Sequence, residues 1–176
     1  MINQKNIQNQ SLQYHDKGLA EIDLKYTYGE IRNQVKVKFL SKSENVALAR
    51  MIVSGVLTNA KQEAAEMTLS QLEEIKVAVS EAVSNAIIHG YQNQENQWVD
   101  FVVTLYDFAL VIEIIDEGIG ISDIQKAMEP NFSTALERMG LGFAFMNSFM
   151  DTLKVDSQPD QGTRVTLIKH LPLAES

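Results

Sequence analysis

The sequence predicts an α+β fold, a two-layer sandwich in which a mostly antiparallel sheet carries its helices on one face. Two observations carry that expectation. β-rich runs arrive in adjacent pairs, 99–106 with 109–115 and 153–156 with 163–170, as hairpins do. The summed order of strand, helix, long helix, hairpin, loop, helix, hairpin also lacks the regular strand–helix alternation that a doubly wound parallel sheet requires.

Residues 1–33 begin rich in Asn and Gln and offer little to bury, so they are expected to form a partly flexible N-terminal extension. Within it, Ile22, Leu24, Tyr26 and Tyr28 alternate with the period of a strand that could pair with a sheet edge. The domain proper is expected over 34–171, followed by a short tail, 172–176. Val35, Val37 and Phe39 alternate with lysines as a half-buried strand does. Ser41 with Glu44 reads as a capping box opening a helix whose Val46, Ala49, Val53 and Leu57 share a face, with Arg50 on its polar side. After a loop through Ala64 and Ala65, Ser70 with Glu73 reads as a second capping box. It opens a long helix that ends near Gly90 and lays Leu72, Ile75, Val79, Val83 and Ala86 on the sheet. The first hairpin turns at Asp107. Gly118, Gly120, Gly140 and Gly142 then bracket a polar loop containing Pro130, a short helix is expected from Phe143 to Met150, and the last hairpin turns at Pro159, Asp160 and Gly162.

Composition narrows the function. With 176 residues and 45% hydrophobic content the chain can build one core. It has no cysteine, which removes disulfides, thiolate metal sites and cysteine nucleophiles. Its three histidines are too scattered for a transition-metal site, so any metal should be a hard cation carried with phosphate. A net charge of −8 argues against direct nucleic-acid binding and for a protein partner. No apolar run reaches the roughly 20 residues that span a bilayer, and the polar start does not resemble a secretion signal, so a cytoplasmic protein is expected.

Four features could carry chemistry. On the long helix Glu81 and Asn85 stack one turn apart, away from the core stripe; the amide oxygen could ligate Mg²⁺ while the carboxylate orients or deprotonates a nucleophile. An ordinary solvated Glu and Asn would look the same. Asp116-Glu117-Gly118-Ile119-Gly120 follows an apolar strand, offering an acceptor beside a glycine turn that admits a flat ring such as adenine; a plain turn is the alternative. Gly140-Leu141-Gly142 enters the helix at Phe143, where exposed N–H groups suit a polyphosphate, with Ser133, Thr134 and Arg138 just upstream. Gly162-Thr163 opens the last strand, where the Thr163 hydroxyl could reach the ring edge.

Taken in order, the run 81–90, then 116–120, 140–142 and 162–163, resembles the GHKL ATP-binding fold of chaperone, gyrase and histidine kinase ATPase domains. More narrowly it is similar to bacterial anti-sigma factors with serine kinase activity, above all those of the sigma F type in sporulating bacteria; the Phe-Met-Asp ending at 149–151 adds to the likeness. The resemblance covers about 34–171. It implies ATP and Mg²⁺ as ligands, with Glu81 as general base, Asn85 as the Mg²⁺ ligand and Asp116 as the adenine acceptor. Gly118, Gly120, Ser133, Thr134, Arg138, Gly140, Leu141, Gly142, Phe143 and Thr163 would line the nucleotide pocket, and Arg50 resembles a partner-facing arginine. It further implies a homodimer, a bound sigma factor, and an anti-anti-sigma protein whose serine receives the phosphate. The loop 133–138 is slightly short against the family pattern, with Ala135 where a lid lysine is expected. A general-stress anti-sigma kinase, an ATPase of the wider fold that activates water, and a binding module that keeps ATP as a structural ligand remain open at this level.

Overall fold

The computed structural model describes residues 21–58, 67–128 and 135–171, of which 21–23 and 135–140 are described by their backbone alone. Among the described residues, and apart from a π-helical turn at Ala86–Gly90, the helices and strands follow in this order: α1 (Glu21–Tyr28), β1 (Ile31–Leu40), α2 (Asn45–Thr58), α3 (Leu69–Asn85), β2 (Trp98–Tyr106), β3 (Ala109–Asp116), α4 (Ile124–Ala127), α5 (Ala135–Phe149), β4 (Thr152–Ser157) and β5 (Thr163–His170). The strands form one sheet in the order β1-β2-β3-β5-β4, and every neighbouring pair is antiparallel. The expected α+β sandwich is therefore present.

Period-two alternation decides which side chains meet the helices. Phe39 of β1, Phe101 and Val103 of β2, Ile112 and Ile114 of β3, and Val165 and Leu167 of β5 point to one face. There they bury against Val53 of α2, Ile75, Val79 and Val83 of α3, and Phe143 and Met146 of α5. α3 lies between α2 and α5 and packs against both.

Three local expectations are corrected. The alternation at Ile22–Tyr28 does not form a strand: the segment is helix α1. In a helix Leu24 and Tyr28 are one turn apart, and they close a second small core on the opposite sheet face with Tyr106, Ala109, Val111 and Ile168, while Tyr26 stays 88% exposed. Ser41 does not cap α2. It is fully buried, its hydroxyl donating to the Gln94 carbonyl and accepting from the Gln97 N–H, and α2 starts four residues later. Thr68, not Ser70, caps α3: its hydroxyl accepts from the Gln71 N–H at 3.2 Å, while the Gln71 side chain accepts from the Thr68 N–H at 2.8 Å. Both pairs satisfy the S/T-x-x-E/Q pattern, and the winner is the one whose hydroxyl faces the helix's unpaired N–H groups. The loop through Ala64 and Ala65 lies outside the described residues. No helix among the described residues is long and apolar enough to cross a membrane.

The cap assignment is testable by urea unfolding. Thr68→Ala should lower stability by about 1 kcal/mol, whereas Ser70→Ala should change it by less than about 0.5 kcal/mol.

Candidate functional site

A cavity of about 490 Å³ opens between the C-terminal half of α3, the loop after β3, α4 and the first buried turn of α5. Its floor is Asp116, the last residue of β3. The residue is 4% exposed, and its carboxylate accepts the Gly118 N–H at 3.0 Å and the N–H of Thr163, its partner across the β3–β5 ladder. Burial raises its pKa from 3.8 to about 6, with those two N–H groups opposing the rise. At neutral pH it is thus an ionised acceptor that lines the cavity while accepting two backbone N–H groups.

α3 continues without a break into a π-helical turn, Ala86–Gly90, closed by the Tyr91 N–H on the Ala86 carbonyl at 2.9 Å. Such wide turns recur at functional sites, where they change the direction of the chain beyond them. Here the turn sets Gly90 directly under Asp116, where a Cβ would come within 2.7 Å of Asp116 Oδ1. The loop after β3 is pinned to this turn. Ile119 N–H donates to the Gly90 carbonyl at 3.0 Å and Glu117 N–H to the Tyr91 hydroxyl at 2.8 Å. Gly118 passes so close that a Cβ would meet the Gly90 carbonyl at 2.2 Å, and Gly120 has φ +67. The backbone path needs glycine at both positions. On its far side the loop is held by Asp160 N–H on the Ile119 carbonyl at 2.8 Å and by Ile121 N–H on Ser157 Oγ at 2.8 Å. Ser157 in turn shares a hydrogen bond of 3.0 Å with the Thr163 hydroxyl.

The structure brings Asn85, Asp116, Gly120, Phe143 and Thr163 to this one cavity, as expected. Asn85 Nδ2 is buried with no hydrogen-bond partner among the described residues, so the amide has capacity left for a ligand. Glu81 lies one helical turn before Asn85, beside the cavity rather than in its lining, and burial raises its pKa. Gly118 lines a shallower neighbouring groove with Tyr91 and Glu117. The expectation that Gly140-Leu141-Gly142 precedes a helix is corrected: all three lie inside α5, which begins at Ala135. Gly142 is its eighth residue, beyond the first four N–H groups that a helix leaves unpaired, so in this conformation it offers the cavity a helix side and not a helix end. Leu141 is 53% exposed. Ser133 and Thr134 lie outside the described residues, as does the side chain of Arg138. Arg50, on α2, donates to Ser80 Oγ of α3 at 3.0 Å, on the flank of the helix layer.

Sequence reasoning assigned no role to His89, Gln92, Asp123 or Lys126, which also line the cavity. His89 follows Asn85 by four residues and could have been found by extending the Glu81–Asn85 stripe one turn; burial keeps its imidazole below the ordinary pKa and therefore neutral at pH 7. Lys126 had no signal in the sequence, since only the folding of α4 over the cavity brings it there.

The burial of Asp116 has a measurable consequence. Ionisation is harder in the folded state, so the stabilising margin is full below the unfolded value of 3.8 and is lost as pH rises through about 6. Asp116→Asn has no such titration. Its stability relative to the unsubstituted protein should rise by roughly 3 kcal/mol from acid to pH 7, measured by denaturant unfolding across that range; parallel pH profiles would refute the buried charge.

Residues 39–169 match the model of the histidine kinase-like ATPase domain. The chain is 44% identical to the anti-sigma F factor of Clostridium acetobutylicum over 147 residues, 82% of this chain and 99% of the relative. It is 42% identical to that of Bacillus licheniformis over 143 residues, 80% of this chain and 94% of the relative. To that of Caldanaerobacter subterraneus it is 43% identical over 148 residues, 81% of this chain and 96% of the relative. With its cavity, its buried carboxylate and a match spanning sheet and helices alike, the chain belongs to the histidine kinase-like ATPase domain family, within the group formed by the anti-sigma F factors.

Proposed function

We propose that the chain binds ATP with Mg²⁺, transfers the terminal phosphate to a serine of an anti-anti-sigma protein, and holds a sigma factor of the F type while nucleotide is bound. The observation that carries this reading is the pairing across one cavity of an ionised, buried acceptor, Asp116, with an Asn85 amide that has an unused donor. Asp116 suits the exocyclic amine of adenine, which donates; a guanine seated in the same orientation would set its six-position carbonyl oxygen against the carboxylate. Gly120 and Thr163 border the cavity where the ring would enter edge on, Gly118 shapes the turn behind them, and Phe143 closes the apolar side.

In this reading the Asn85 amide oxygen would hold the metal, and its unpaired Nδ2 would donate to a phosphate oxygen. Mg²⁺ on the triphosphate would supply the charge neutralisation that loose phosphoryl-transfer transition states need. Glu81, kept short of full solvation by burial, orients the incoming serine hydroxyl and takes its proton as the oxygen–phosphorus bond forms and the bond to ADP breaks. Gly140 and Leu141, with Ser133, Thr134 and Arg138, are assigned to the phosphate end, while Gly142 stands against Glu81 and Asn85. Arg50 is assigned to the partner surface, since it stands on the flank of the helix layer away from the cavity floor. A protein partner agrees with the net charge of −8, which disfavours nucleic acid; a homodimer is proposed from the family likeness alone.

The test is incubation with terminally labelled ATP, a sigma factor of the F type and its cognate anti-anti-sigma protein. Label should appear on a partner serine and fall by about 10²-fold or more in Glu81→Ala, with nucleotide affinity within a few-fold. Free phosphate as the sole product would make the chain an ATPase, and absence of both a binding module. Asp116→Ala should weaken ATP binding by about tenfold or more in calorimetry; well-folded protein giving no heat with magnesium nucleotide would remove the proposal altogether.

A further inference from the structure

We infer that Gly142 is a positioning residue for Glu81: its missing side chain leaves the space in which the Glu81 carboxylate stands beside Asn85. The inference rests on the proposed role of Glu81 as proton acceptor.

A glycine inside a helix is unfavourable by about 1 kcal/mol relative to alanine, so its presence in the buried middle of α5 calls for a reason. The backbone gives none, because Gly142 is not among the described glycines with positive φ. Helix packing gives none either. α5 lies directly on α3, yet the three nearest atoms that a Cβ at 142 would meet are all side-chain tips: Glu81 Oε2 at 2.9 Å, Asn85 Nδ2 at 3.5 Å and Asn85 Oδ1 at 3.7 Å. The two Asn85 distances are ordinary van der Waals contact. The carboxylate oxygen alone would have to move.

Other glycines of the site differ in kind. Gly118 and Gly120 face backbone carbonyls, at 2.2 Å and 2.0 Å from an added Cβ, so a side chain there would disturb the path of the chain. At 142 a methyl group would leave both helices where they are and displace a flexible carboxylate. Stability and function are thereby separated at one position: alanine suits the helix, glycine suits the acid. A methyl group would also replace what solvation the Glu81 oxygen retains on that side, adding to the burial that already raises its pKa.

Gly142→Ala tests this. The expected result is a thermal midpoint equal to or above that of the unsubstituted protein, nucleotide affinity within about threefold, and kcat for partner phosphorylation lower by about tenfold or more. The acidic limb of the kcat profile should move to higher pH, and carbon NMR of the Glu81 carboxyl should show the same upward displacement without relying on turnover. Glu81→Asp is one methylene shorter and does not reach the added methyl, so introducing Gly142→Ala into that background should lower kcat by less than about twofold further. Unchanged kcat and pH limb in Gly142→Ala, or a loss of nucleotide binding as large as the loss of kcat, overturns the inference, the second outcome assigning the glycine to phosphate contact. Glu81→Gln separates the two levels. Full transfer by Glu81→Gln overturns the proton-acceptor reading and this inference with it, whereas an inactive Glu81→Gln beside an unaffected Gly142→Ala overturns this inference alone.

Discussion

Burying a carboxylate at the end of β3 is the constraint around which the site is organised. An isolated charge removed from water is strongly unfavourable unless polar groups replace the lost solvation. Asp116 receives that replacement from two backbone N–H groups, of Gly118 and Thr163, one from the loop it begins and one from the strand beside it. Both donors exist only if β5 inserts next to β3 and the loop turns back at once. The sheet order and the glycine turn are thus joined to a single side chain. The remaining penalty persists as the raised pKa, and raised values of this kind cluster at functional sites.

The helix layer meets this floor by close approach. The π-helical turn ending α3 sets Gly90 against Asp116, and Gly142 of α5 stands against Glu81 and Asn85 of α3. At both places a backbone without a side chain faces a carboxylate, so the acidic groups are placed by what is absent around them as much as by hydrogen bonds. Close packing makes such spaces exact to a methyl group, which is why a one-carbon change can act on position without undoing the fold.

The N-terminal side adds a support that the family-matched residues do not contain. α1 and most of β1 precede residue 39, where the match to the family model begins. They are nonetheless joined to the sheet. Asp107, at the β2–β3 turn, accepts from the Glu30 N–H at 2.8 Å and from Arg32 Nε, and the Phe108 N–H donates to the Tyr28 carbonyl at 3.1 Å. Tyr28 lies 5.8 Å from His170 and 6.3 Å from Tyr106, ring centre to ring centre. The second sheet face is thereby closed at one end by a segment whose apolar residues the sequence marked for the sheet, as a helix and not as the expected strand.

Strand alternation in Val35–Phe39 and in both hairpins, the helical stripe Ile75–Val79–Val83, and the order of the glycine motifs were legible in the sequence, because each is set by contacts a few residues apart or by a period that one burial face imposes. The same reasoning singled out Asn85, Asp116, Gly120, Phe143 and Thr163, which line one cavity; Asp116 and Thr163 sit at strand ends that the pattern marks. Only the folded chain decided the rest. Thr68 prevailed over Ser70 as a cap, Ser41 was drawn into a turn by Gln94 and Gln97, α1 formed where alternation pointed to a strand, and α5 ran back through Gly140 and Gly142. For Ser41 and for α1 the deciding partners lie tens of residues away, and they outweighed local preferences of about 1 kcal/mol or less. Lys126 and the clearance between Gly142 and Glu81 belong to the same class, for a spacing between two helices is written in neither helix alone.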